Sequence, residues 1–138
     1  MSIDTKELLN RLKQAPDIRA FFDEYQNEFL SLRPLDYLTE LLRQKDMSLA
    51  QVVNQSGQGE YVYKVFRGER RPSRDVVLAI AFGMQLCVGE TQLLLRISKL
   101  AVLDPRDKRD SVILYSLKER HTVAQANDLL YEMHEQTL

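Results

Sequence analysis

Apolar residues in this chain return every three or four positions, in short runs separated by capping and turn residues. Leu8, Leu9 and Leu12 share an edge of a helix expected over 4–13, which Asp4 caps and Pro16 ends. Ile18, Phe21, Phe22, Tyr25 and Phe29 share one face of a second helix, about 17–31, and read as core. Pro34 opens a third helix to about Gln44, with Leu35, Leu38, Leu41 and Leu42 on one side. Ser48 and Gln51 form a capping box for the next helix, which carries Val52 and Val53 and stops at Gly57 and Gly59. A short helix over about 60–66 turns Val62 and Val65 inward, and Gly68 is a natural left-handed end.

Ser73 caps a helix over about 74–84, with Val76, Val77, Ile80 and Ala81 inward. Gly89 breaks the chain, and 90–99 is helical through Leu93, Leu94 and Ile97. Pro105 opens a helix over about 106–120, packed through Val112, Ile113 and Leu117. Thr122 and Gln125 cap the last helix, about 123–134, which buries Val123, Ala126, Leu130 and Met133. Residues 62–66 alternate partly, yet their helical spacing and context outweigh a strand. The expected fold is all-α, in three stretches: an N-terminal helical extension (1–33), a central domain (34–99) and a C-terminal helical hairpin (100–138).

The chain resembles itself at an offset of 35 residues. Arg74-Asp75 matches Arg109-Asp110, Val77-Leu78 matches Val112-Ile113, and Phe82 matches Leu117. Val88 matches Val123, Leu94-Leu95 matches Leu129-Leu130, and Glu90 with Gln92 matches Gln125 with Asn127. One helix pair is therefore followed by a second of the same design, expected to stack on it. At each helix start the Asp suits the macrodipole, and the neighbouring Arg can pair with it or reach outward.

Composition narrows the class. With five Gly and four Pro in 138 residues, the chain lacks the turn residues of an all-β fold. No apolar run reaches the roughly 18–20 residues that span a bilayer, and no leader is visible, so no membrane partner is expected. A single cysteine, Cys87, fits a reducing cytoplasm and reads as a small core residue. The net charge of −1 hides a basic stripe. Residues 61–74 hold Lys64, Arg67, Arg70, Arg71 and Arg74 against Glu69 alone, five cations minus one acid, a local +4. Such a stripe can bind a phosphate backbone. His121 and His134 lack ligand-type neighbours and read as surface groups. Asp104, Asp107 and Asp110, alternating with basic residues, read as a solvated helix start. No phosphate-cradling loop, nucleophile elbow or zinc spacing is present, so neither an enzyme nor a cofactor or metal is expected.

The segment S-L-A-Q-V-V-N-Q-S-G followed by G-E-Y-V-Y-K-V-F-R-G-E-R-R-P-S resembles the Cro/XRE-type (lambda-repressor-like) helix-turn-helix of phage repressors and small bacterial regulators. Val52-Val53 sits at that family's Leu-Ala pair, Gly57 at its turn glycine, and Val62 and Val65 at the inward aliphatics of the recognition helix. Residues 68–73 match its G-x-x-x-P-S exit, and Val77, Leu78, Ile80, Ala81 and Phe82 its next core helix. The resemblance covers about 34–97; the hairpin after it is similar to that of a narrower subgroup. It implies a cytoplasmic, sequence-specific regulator of transcription bound to double-stranded DNA, as a homodimer, because two half-sites multiply a short helix's affinity.

The resemblance also implies roles. Glu60, Tyr61, Tyr63 and Lys64 would face bases in the major groove, with Gln58 in the turn before them. Ser48 and Gln51, at the start of helix two, and Arg67, Arg70, Arg71 and Arg74 would contact the backbone. Two departures stand out. Gly57 to Gly68 is one residue shorter than usual, and tyrosines occupy a face where the family often carries Ser, Thr, Gln, Arg or Glu. Tyrosine makes none of the bidentate base contacts, and it suits a protein interface. The alternative is therefore an adaptor that keeps the fold and binds a protein partner through Tyr61, Tyr63 and the C-terminal repeat.

Overall fold

In a computed structural model, residues 3–26 and 33–138 are described. They form nine helices and no strand. The chain divides into two compact units, residues 1–31 and 32–138.

In the first unit, α1 (Thr5–Gln14) is capped by the Asp4 carboxylate and α2 (Ile18–Glu24) by that of Asp17. The aromatic stripe divides. Phe21 is buried and lies 5.1 Å from the Tyr25 ring, while Ile18 and Phe22 remain about half exposed. Helix α2 is shorter than its apolar period: Tyr25 departs from helical geometry (φ −113°), and its hydroxyl meets Nη1 of Arg11 at 3.1 Å. Phe29 and the expected end of that helix lie outside the described residues.

The second unit is built on three helical hairpins with the same corner. They are α3 (Pro34–Lys45) with α4 (Leu49–Ser56), α6 (Arg74–Gly83) with α7 (Val88–Ile97), and α8 (Lys108–Lys118) with α9 (Val123–Glu132). In each corner one residue enters the left-handed region: Asp46 (φ 53°), Gln85 (φ 56°) and Arg120 (φ 59°). The following N–H groups, of Met47, Leu86 and His121, bond back to carbonyls of the helix just ended. A capping box then starts the next helix, formed by Ser48 with Gln51, Cys87 with Glu90, and Thr122 with Gln125. Between the first two hairpins lies the short α5 (Tyr61–Phe66).

Leu38, Leu41, Val52, Val62, Val65, Ile80, Leu94, Ile113 and Leu130 belong to one buried cluster that runs through all three hairpins. Residues 34–99 and 100–138 thus lie within one compact unit. The backbones of α6 and α4 come close at Gly83: a Cβ there would lie 2.9 Å from the Ser56 backbone nitrogen and 3.1 Å from the Val52 carbonyl oxygen. Only a residue without a side chain lets α6 touch α4 so closely.

Three expectations need correction. Cys87 is exposed, and its Sγ accepts the Glu90 N–H at 3.4 Å, so α7 begins at Val88, two residues before the expected start. Pro105 does not open α8. Asp104 ties residues 104–107 into a turn through the N–H groups of Arg106 and Asp107, and Asp107 caps the helix from Lys108. Met133 stays exposed because α9 ends at Glu132 and leaves it at the C-cap.

Candidate nucleic-acid interface

Helix α4 ends at Gly57, whose φ of 72° turns the chain, and residues 57–60 lead into α5. The turn is anchored by Ser56, whose buried hydroxyl donates to the Val53 carbonyl and accepts the Gln58 N–H. Val62 and Val65 bury fully on the inner side of α5. Tyr61 and Phe66, both half-buried, pack beside them against the core. Tyr63 is half-buried, Gln58 likewise, and Glu60 and Lys64 are exposed. The Glu60 side chain makes no capping bond to the helix it precedes. Ser48 and Gln51, both exposed, bond each other's backbone N–H at 3.1 and 2.7 Å at the start of α4.

Beyond α5 the chain reverses at Gly68 (φ 76°) into the exit loop. Arg67 bonds Glu69, with Nε 3.2 Å from Oε1. Arg70 and Arg71 are exposed and have no ion-pair partner among the described residues. Arg33, just before α3, lines the same cavity as these two arginines. Nothing in the sequence around Arg33 marks it for this role. It is distant in the chain, and no local pattern brings it to the loop.

Arg74 belongs elsewhere. Its Nη1 and Nη2 donate to the Asp110 carboxylate at 3.0 and 2.9 Å, and its Nε and Nη2 donate to the Ala101 and Val102 carbonyls. A guanidinium so engaged is a structural clamp, not a phosphate contact. The repeated residue does the same in reverse: Arg109 donates to Asp75 at 2.9 and 3.1 Å and to the Gln136 and Thr137 carbonyls. Asp110 is not part of a solvated helix start as expected: it is buried, because Arg74 and the Asp104 N–H, which its carboxylate accepts, replace water around it. Burial pushes its carboxyl pKa upward, but the Arg74 and Asp104 hydrogen bonds, with the Arg74 and Arg109 charges, outweigh burial and hold it below 3.8. The repeat extends to a third feature. The Gln92 side-chain amide exchanges two hydrogen bonds with the backbone of Leu103, and Asn127 does so with Leu138.

The described helices include none long and apolar enough to cross a membrane. His121 packs edge-on against Tyr115, with Nδ1 3.2 Å from the Ser116 hydroxyl. No family model, curated protein or solved structure matches the chain.

Proposed function

We propose that the chain binds double-stranded DNA in the manner of Cro/XRE-type regulators, with α4, the Gly57 turn and α5 as the reading unit. The observation that carries this reading is the outer face of α5 and its exit. Val62 and Val65 anchor the helix from within, and Tyr63 and Lys64 lie outside. Arg70 and Arg71 follow at once, exposed and without carboxylate partners among the described residues. In this reading α5 enters the major groove with Tyr63 and Lys64 toward the bases, and Arg70 and Arg71 meet phosphates. Ser48 and Gln51 approach the backbone from the start of α4. Arg67 joins once it leaves Glu69, and Arg74 takes no part. A homodimer would present two such helices to two half-sites.

A duplex titration at several salt concentrations tests this directly. Affinity falls steeply as salt rises, and R70A/R71A reduces the log–log slope by about 2, one for each lost phosphate contact. No binding at low salt, or a slope that the double variant leaves unchanged, rules the reading out. The second reading, a protein-binding adaptor, draws on the half-buried tyrosine pair and the exposed Glu60. In that case a protein partner is lost on Y63A while duplex DNA never binds.

A further inference from the structure

Where α3, α5, α6 and α7 meet beneath the exit loop, the surface is indented above the core. A cavity of about 310 Å³ lies there. It is lined by half-buried Leu35 and by the edges of Leu38, Val65, Val77, Ile80 and Leu94, each 5% exposed or less. That volume falls at the lower end of small-molecule sites, about 300 to 1,000 Å³. The cavity is also asymmetric in charge. Arg33, Arg70 and Arg71 line it, all three are exposed, and none has an ion-pair partner among the described residues. No Asp or Glu is among its lining residues. Ser98 lines it too, and its Oγ is buried without a hydrogen-bond partner, where nearly every buried hydroxyl has one.

We propose that this cavity is a binding site for a small amphipathic carboxylate, a compact hydrocarbon body ending in one anionic group. The hydrocarbon lies against the aliphatic walls and gains by leaving water. The carboxylate stays at the rim, where the guanidiniums of Arg70 and Arg71 offer charge-assisted, paired hydrogen bonds. A cation would instead be repelled by the three guanidiniums, and an uncharged molecule would gain nothing from them. A ligand so seated touches Gly68 and Pro72 on the exit loop, so its occupancy is felt by the segment that carries the exposed arginines. The site stands on the cavity itself and does not depend on DNA binding.

The probes are octanoate and, as the uncharged match, 1-octanol, each titrated into the full chain without DNA and followed by amide chemical shifts. Octanoate is expected to saturate, with shifts concentrated at Leu35, Gly68, Leu94 and Ser98. It should bind roughly tenfold or more tightly than the alcohol, the worth of one good charge-assisted contact. R70A/R71A should cut that preference severalfold, Arg33 alone remaining, while leaving the melting temperature unchanged, since both side chains are exposed. Equal affinity for acid and alcohol, a preference that R70A/R71A leaves intact, shifts elsewhere, or no saturation by octanoate overturns the proposal. Because DNA is absent, failure of the DNA reading leaves every one of these results readable.

Discussion

Arg74 forms a two-pronged ion pair with Asp110, 36 residues later in the chain, and not with its neighbour Asp75. Asp75 is held instead by Arg109. The two Arg-Asp dipeptides of the repeat are thus crossed, each arginine reaching the aspartate of the other copy. The crossing joins the N-terminal end of α6 to that of α8, where both carboxylates also meet a favourable helix dipole.

The crossed arrangement predicts which residues are coupled. In urea unfolding, R74A combined with D110A should show a coupling of about 1–3 kcal/mol. R74A combined with D75A should be close to additive, although those residues are adjacent. Arg109 should behave in the mirror sense, coupling to Asp75. Coupling that follows sequence adjacency instead would contradict the geometry.

Stability should fall in acid because of Asp110. Its folded-state pKa is depressed below the unfolded value of 3.8, chiefly by Arg74 working against burial. A depressed carboxyl contributes its full stability above the unfolded pKa and loses it as pH falls through the folded pKa. Unfolding midpoints of the wild type should therefore drop below about pH 4. D110N should be less stable at pH 7 and show a shallower drop over the same range. Parallel pH profiles for the two proteins would exclude Asp110 as a source of the acid limb.

Cys87 offers a simple gain. Sulfur is a weak acceptor for the Glu90 N–H, and the position is exposed. Serine is among the preferred caps, and it occupies the matching position of the first hairpin, at Ser48. C87S should hold or raise the melting temperature, whereas C87A should destabilise by less than the about 0.5–2 kcal/mol lost with a serine cap. A thermal melt of the three proteins decides between this role and a core role. If Cys87 mattered through packing, alanine and serine would be equally harmful.

Much of the helical layout was legible because its signals are local. Ser48 with Gln51 and Thr122 with Gln125 are side chains three residues apart that bond each other's backbone, so their spacing is visible in the chain. The 35-residue echo was visible for the same reason. Helix ends were harder, because the left-handed residues after α3, α6, α7, α8 and α9 are Asp46, Gln85, Lys99, Arg120 and His134. None is the glycine that usually marks such a stop. Arg74 was misplaced because its sequence neighbourhood is basic, while its partner lies in another helix. Arg33 was missed for the converse reason: nothing local distinguishes it, and its meaning depends on what α3 brings beside the exit loop.

Two glycines on neighbouring helices should respond oppositely to the same change. Gly83 faces the Ser56 nitrogen and the Val52 carbonyl, and an added methyl would meet backbone atoms that cannot rotate away. G83A should therefore separate α6 from α4 at a cost of about 1–3 kcal/mol, the range for overpacking a filled core. Gly89 lies in the first turn of α7 without a positive φ, and its added Cβ would lie 3.9 Å from the Cys87 Sγ, an ordinary contact. G89A should stabilise by about 0.4–1 kcal/mol, mainly by restricting the unfolded chain. Because α4 precedes the Gly57 turn, G83A should also weaken duplex DNA binding if α4 and α5 act as the reading unit, while G89A leaves it unchanged. Chemical denaturation of both variants, with the duplex titration repeated on each, checks the packing and the function together. A neutral G83A would mean that α4 and α6 are not in close backbone contact.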